Sequence, residues 1–126
     1  MSSPAERVVV VEDDELLAEH YLRILRRAGY EVYHAGHALT AIDVIDDARP
    51  HAILLDVLLT GTNALVLLHE LQSHKDLASI PVVLATNLAD QLAMDDVESY
   101  GVKRILDKAT MHPEDVVAAI RWATRS

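Results

Sequence analysis

Short apolar runs alternate with amphipathic stretches along the chain. The apolar runs are rich in Val, Ile and Leu, and runs of this length between turn residues are typical of buried strands. The overall pattern predicts five strands, at about residues 7–11, 31–34, 52–55, 81–85 and 103–107. Helical spacing predicts helices over about 15–27, 38–47, a third segment after residue 63, 90–99 and 113–124. This alternation predicts an α/β domain with a parallel sheet and helices on both faces.

Apolar positions three and four residues apart predict which side of each helix faces the sheet. In the first helix these positions are Leu16, Leu17, Tyr21, Ile24 and Leu25. In the third helix they are Leu65, Leu68 and Leu71. Asp14 is interpreted as the N-cap of the first helix, and Gly29 as the left-handed residue that ends it.

Polar residues follow four of the predicted strands. Glu12 and Asp13 follow the first strand, Asp56 ends the third, Thr86 ends the fourth and Lys108 follows the fifth. The carboxyl ends of strands are where open α/β sheets place their ligands. Clustered carboxylates repel one another unless a cation lies between them, and oxygen ligands of this kind suit Mg²⁺. A carboxylate after a strand can equally be a simple helix cap.

Composition narrows the classes of protein to which the chain can belong. With 126 residues, 51% of them hydrophobic, residues 1–126 are expected to form one domain, without an output domain. The net charge of −9 argues against direct binding of nucleic acid. No apolar stretch is long enough for membrane insertion. The absence of cysteine is compatible with a cytoplasmic location, and the seven scattered histidines do not predict a metal site.

The four strand-end positions resemble those of a known family, the receiver domain of two-component response regulators, or CheY-like domain. The resemblance rests on the residue types and intervals of Asp13, Asp56, Thr86 and Lys108, and covers nearly the whole chain. It implies a doubly wound five-stranded parallel sheet of strand order 2-1-3-4-5, as in flavodoxin-like folds. This order belongs to the fold class and is not worked out independently from the chain.

The resemblance also implies a function and roles for individual residues. Asp56 resembles the phosphoacceptor, which takes a phosphoryl group from the phosphohistidine of a histidine kinase or phosphotransfer protein. Thr86 resembles the hydroxyl residue, and Lys108 the lysine, that contact the phosphoryl group. Such a domain is not a conventional enzyme, although it catalyses its own aspartyl phosphorylation and dephosphorylation.

A cofactor and a partner surface are implied in the same way. Mg²⁺ would be held by Asp13 and Asp56 directly, by the backbone carbonyl of Leu58, and by Glu12 through water. A downstream target would dock on the face formed by helix four, strand five and helix five. Trp122 is a candidate anchor on that face, or else packs against the edge of the domain's own core. Whether the chain is a stand-alone regulator or an excised domain is left open.

Several positions depart from the family pattern while the chemical residues are kept. The two switch positions hold Thr86 and Ile105, and the family usually has an aromatic residue in place of Ile105. Ala109 replaces the usual proline after the lysine, and Asn87 replaces a small residue. An alternative function is therefore a receiver-like docking module that works without phosphorylation. A phosphate-ester hydrolase is a third option, but Leu58 stands where its acid/base aspartate would be.

The resemblance predicts a long-lived acyl phosphate. In the family, polar side chains two residues after the phosphoacceptor and two after the hydroxyl residue help to position the hydrolytic water. Here these positions hold Leu58 and Leu88. Changing Leu58 to Asn and Leu88 to Glu should speed phosphoryl loss about tenfold, or ~1.4 kcal/mol of barrier. The measurement is the decay of phosphoprotein after donor removal. A wild-type half-life of seconds, or an unchanged decay in the double variant, would contradict it.

Overall fold

Five parallel strands form the main sheet of the molecule. The computed structural model describes residues 4–59, 62–87 and 94–125. The strands of the main sheet are β1 (Arg7–Val11), β2 (Glu31–Ala35), β3 (Ala52–Asp56), β6 (Val82–Thr86) and β7 (Val102–Asp107). A separate antiparallel pair consists of β4 (Leu58–Leu59) and β5 (Thr62–Asn63). The main sheet has the order β2-β1-β3-β6-β7. Counted within this sheet alone, that is the predicted order 2-1-3-4-5.

Helices connect the strands as the alternating pattern predicts. They are α1 (Glu15–Arg27), α2 (Ala38–Ala48), α3 (Ala64–Ser73), α4 (Met94–Val97) and α5 (Pro113–Arg125). A 3₁₀ turn, Glu98–Tyr100, continues α4, and Gly101 then takes a positive φ of 87°. Residues 90–93 of the predicted fourth helix lie outside the described part of the chain. Within that part, no helix combines the length and the apolar character that crossing a bilayer requires.

Two residues define the ends of α1. The side chain of Asp14 accepts hydrogen bonds from the backbone N–H groups of Leu16 and Leu17, at 3.0 and 3.1 Å. At the other end, Gly29 takes a φ of 98°, a left-handed conformation that suits a residue without Cβ. Both predicted helix signals are therefore confirmed. As a result, α1 starts immediately beyond the carboxyl end of β1.

The sheet is buried on both faces by two separate clusters of apolar side chains. Alternate residues of β3 pack on opposite faces of the sheet. Ile53 and Leu55 pack with α2 and α3, whereas Leu54 packs with α1 and α5. All five residues of β3 are buried. This two-sided burial explains why the strand is a continuous apolar run that ends in a single carboxylate.

Two positions predicted to face the sheet are exposed instead. Leu16 is 80% exposed and Leu65 is 46% exposed. The buried stripe of α1 runs through Ala18, Tyr21 and Leu25. Leu16 precedes Ala18 by two residues, which is more than half a turn around the helix. Leu65 similarly lies outside the buried stripe of α3, so the prediction from helical spacing was wrong for both residues.

This burial pattern predicts very different effects for two leucines of the same helix. Leu25→Ala removes a side chain that is 0% exposed and should reduce the free energy of unfolding by about 2–5 kcal/mol. Leu16→Ala should change it by less than ~0.5 kcal/mol. Urea unfolding of the two variants measures both values. Equal losses would show that the α1 stripe is assigned incorrectly.

Candidate functional site

The register of the sheet brings the strand-end residues to one edge. Val11 pairs with Leu55, so the residues that follow, Glu12 and Asp56, lie side by side. Asp56 pairs with Ala85 and Thr86 pairs with Asp107 across the next two strand pairs. The backbone N–H of Lys108 donates to the carbonyl of Thr86 at 3.0 Å. The four predicted strand ends therefore meet at a single edge of the sheet.

Three carboxylates form a cluster at this edge. One carboxylate oxygen each of Glu12, Asp13 and Asp56 lies within 4.8 Å of the others. Glu12 is 2% exposed and Asp56 is 8% exposed. Mg²⁺ binds carboxylate oxygens at about 2.0–2.1 Å, so two of its ligands lie at most ~4.2 Å apart. A small side-chain movement is enough to meet this limit, and the cluster can therefore hold a divalent cation.

The ammonium group of Lys108 joins two of these carboxylates. Its Nζ lies 2.9 Å from Glu12 Oε1 and 3.1 Å from Asp56 Oδ1. The lysine side chain is itself only 13% exposed. A positive charge between two buried carboxylates relieves their repulsion, which is the role that the clustered acids require of a cation.

Glu12 is held by its backbone as well as by its side chain. Its second carboxylate oxygen, Oε2, accepts from the backbone N–H of Asp14 at 3.2 Å. Its carbonyl oxygen lies 2.7 Å from His34 Nε2, and because a carbonyl can only accept, this nitrogen must carry the proton. Sequence reasoning did not find His34. The feature that could have identified it is its position near the end of the second strand, which pairs with the first strand.

Burial and pairing shift the pKa values of Glu12 and Lys108. Burial raises the pKa of Glu12 above its ordinary value, although the hydrogen bond from Lys108 opposes the shift. Burial works to lower the pKa of Lys108, but the hydrogen bond to Glu12 and the charge of Asp56 outweigh it, so this pKa is raised. These contacts therefore favour the charged form of Lys108, whereas burial disfavours the ionised form of Glu12.

The remaining predicted site residues have clear positions. Thr86 is 1% exposed and is the last residue of β6. Leu58 begins the short strand β4, two residues after Asp56. Ile105 lies in β7 opposite Leu84, half-buried against the core cluster beneath α2 and α3. Leu88 lies outside the described residues.

Comparison with known proteins agrees with this geometry. The family model "Response regulator receiver domain" matches residues 8–121 of the chain. The chain belongs to this family, the receiver domains of two-component response regulators. Its fold, with five parallel strands and helices on both faces, is the CheY-like fold of that class.

Several relatives are similar over most of the chain. It is 27% identical to the DNA-binding response regulator MtrA of Mycobacterium bovis, covering 99% of this chain and 53% of MtrA. It thus spans about half the length of that relative. It is also 27% identical to the polar-differentiation response regulator DivK of Brucella anthropi, covering 84% of this chain and 86% of DivK.

A solved structure shows the same fold. It is a putative response regulator from Chloroflexus aurantiacus, 26% identical, with a TM-score of 0.84. The match covers 98% of this chain and 100% of that one.

The raised pKa of Glu12 predicts a pH dependence of stability. The folded state binds the Glu12 proton more tightly than the unfolded state, so the stability from this group is lost as pH rises from about 4.5 through the raised pKa. Glu12→Gln removes this titration. In chelator-treated, metal-free protein, the free energy of unfolding of the wild type should therefore fall relative to that of Glu12→Gln as pH rises.

Urea unfolding at a series of pH values measures this difference. Glu15→Gln is the matched control, because it changes an exposed carboxylate three residues away. The opposite trend, with the wild type gaining on Glu12→Gln towards neutral pH, would show that Lys108 outweighs the burial of Glu12.

Proposed function

We propose that Asp56 accepts a phosphoryl group from a phosphohistidine of a histidine kinase or phosphotransfer protein. The observation that carries the proposal is the ammonium of Lys108, which lies 3.1 Å from Asp56 Oδ1 at the edge where the acidic cluster is found. Phosphoryl transfer depends mainly on positioning and on neutralising charge. A carboxylate fixed at a strand end beside a buried cation provides both.

The proposed reaction requires little of the protein beyond this arrangement. A carboxylate oxygen of Asp56 attacks phosphorus, the phosphorus–nitrogen bond of the phosphohistidine breaks, and the imidazole leaves with the electron pair. The product is an acyl phosphate on Asp56. Lys108 then contacts a phosphoryl oxygen, and the hydroxyl of Thr86 donates a further hydrogen bond to the same group.

We further propose that the metal of this site is Mg²⁺. Asp13 and Asp56 would bind it directly, together with the backbone carbonyl of Leu58, and Glu12 would act through water. Hard carboxylate and carbonyl oxygens are the ligands that Mg²⁺ prefers. When bound, the ion neutralises negative charge on the phosphoryl oxygens. The three carboxylates of the cluster carry more negative charge than the single ammonium group of Lys108 can neutralise, so a divalent cation is favoured there.

The response to phosphorylation would pass through β6 and β7. Thr86 ends β6 and its carbonyl accepts from Lys108, so a movement of either residue reaches both strands. We propose a small population shift of these strands and α4. Ile105 takes the position of the usual aromatic switch. Its half-buried side chain packs against the core and has no polar end to exchange between solvent and interior.

The proposed surface for a downstream target is formed by α4, β7 and α5. Trp122 on α5 is 45% exposed, and the guanidinium of Arg104 on β7 lies 4.9 Å from the centre of its ring. Such a pair presents a flat aromatic surface that is held in place by a cation–π contact. This supports the anchor interpretation of Trp122 over burial in its own core.

The assignment of Asp56 is tested by intact mass after incubation with acetyl phosphate and Mg²⁺. Wild type should gain one phosphoryl group, and Asp56→Asn should gain none, because an amide is a far weaker nucleophile than a carboxylate. Asp107→Asn is the matched control, since it changes another strand-end aspartate while leaving the cluster intact. It should behave as wild type.

The same measurement tests the metal. With chelator in place of Mg²⁺, the wild-type gain should be lost. Uptake of a phosphoryl group by Asp56→Asn to the wild-type extent would show that the acceptor is wrongly assigned. Undiminished uptake in chelator would remove the metal from the proposal while leaving Asp56 in place.

A further inference from the structure

Tyr21 has a buried hydroxyl group that the functions proposed so far do not use. The residue is 1% exposed and belongs to the apolar cluster beneath α1 and α5. Within residues 4–59, 62–87 and 94–125, its hydroxyl oxygen is buried without a hydrogen-bond partner. A buried hydroxyl without a partner is unfavourable, and a phenylalanine would fill the same space without this disadvantage. A tyrosine at this position is therefore expected to use its hydroxyl group in another state of the protein.

The direction expected for a helical side chain points the Tyr21 hydroxyl towards the carboxylate cluster. Helix α1 begins at Glu15, next to the cluster, and Tyr21 follows less than two turns later. Helical side chains lean towards the N-terminus of their helix, so the phenol ring of Tyr21 leans towards the carboxyl edge of the sheet. Burial raises the pKa of Tyr21, and the charges of Glu12, Asp56 and Asp14 raise it further. The hydroxyl thus remains protonated and able to donate.

Glu12 is the group that such a donor would serve. One ammonium group, that of Lys108, donates to Glu12 at 2.9 Å and also contacts Asp56 at 3.1 Å. In the proposed function Lys108 turns to the phosphoryl group, and Glu12 Oε1 then loses this donor. Glu12 is only 2% exposed, so bulk water does not reach it readily. Its other oxygen keeps the N–H of Asp14 and cannot compensate for the loss.

We propose that Tyr21 is a positioning residue that replaces Lys108 as the donor to Glu12. Its hydroxyl donates to the Glu12 carboxylate, directly or through one buried water, whenever the lysine is engaged elsewhere. The inference rests on the proposed function for the event that draws Lys108 away. The donation itself depends only on the absence of the ammonium from Glu12, so it can be tested without phosphorylation.

A double-mutant cycle in metal-free protein tests the donation directly. Lys108→Met removes the ammonium group permanently, and Tyr21→Phe removes only the hydroxyl. Urea unfolding at pH 8 is measured for wild type, both single variants and the double variant. In the wild-type background, Tyr21→Phe should leave stability unchanged or raise it, because the hydroxyl has no partner there. In the Lys108→Met background it should weaken folding about tenfold, as expected for a lost hydrogen bond to a charged group.

Tyr30→Phe is the matched control. Tyr30 is a buried tyrosine of the same apolar cluster, but it directly precedes β2, at the opposite edge of the sheet from the carboxylates. It should show no coupling to Lys108→Met. Absence of coupling for Tyr21, or equal coupling for Tyr30, would overturn the inference and leave Tyr21 as an ordinary core residue.

The phosphorylated state provides a second, independent measurement. With acetyl phosphate and Mg²⁺, Tyr21→Phe should take up the phosphoryl group about tenfold more slowly than wild type, while Tyr30→Phe should match wild type. Equal rates for Tyr21→Phe and wild type would overturn the role of Tyr21 in phosphorylation. If wild type takes up no phosphoryl group, the proposed function fails, and the unfolding cycle alone decides whether Tyr21 serves Glu12. If Lys108→Met does not fold, the rates of phosphoryl uptake decide whether Tyr21 serves Glu12.

Discussion

The site depends on one positive charge shared by two buried carboxylates. Glu12 and Asp56 lie side by side because β1 and β3 pair in parallel register, and both are almost fully buried. Lys108 meets Glu12 across a separation of 96 residues in the sequence. The ion pairs therefore tie the end of the first strand to the end of the third and to the segment after the last. Without a cation at this point, the edge of the sheet would hold mutually repelling, poorly solvated carboxylates.

This arrangement connects stability with signalling. The lysine that stabilises the metal-free protein is the group that the proposed reaction requires at the phosphoryl oxygens. In the proposed function, a divalent cation or a phosphoryl group at this edge would draw Lys108 away from Glu12 and leave this buried carboxylate without its ammonium partner. The raised pKa of Glu12 has a related cause, because burial disfavours the charged form of this carboxylate. Charge changes of this kind can bias an element that has two nearly balanced conformations.

Helix α1 contributes more to the site than its sequence position indicates. The side chain of Asp14 caps the helix, and its backbone N–H donates to the Glu12 carboxylate. One residue therefore connects the start of α1 to the acidic cluster. Further along the helix, Tyr21 combines an apolar ring in the core with a buried hydroxyl, which we propose as a donor to Glu12. Nε2 of His34 donates to the backbone carbonyl oxygen of the same glutamate. Glu12 is therefore enclosed by groups from α1, β2 and the segment after β7.

The sequence by itself determined the elements and the edge at which the site forms. Continuous apolar runs predicted the three central strands β1, β3 and β6, since strands covered on both faces need no polar alternation. Asp14 and Gly29 predicted where α1 begins and ends. The strand order came from resemblance to a fold class, because spacing along the chain does not state which strands pair.

Only the tertiary structure decided which side chains meet. Leu16 and Leu65 are apolar yet exposed, because burial depends on the angular position of a residue on its packed helix. The contact of His34 with Glu12 joins residues 22 positions apart in the chain. The sharing of Lys108 between Glu12 and Asp56 required actual distances. Contacts of this kind arise from register and packing, which a linear pattern of residues does not contain.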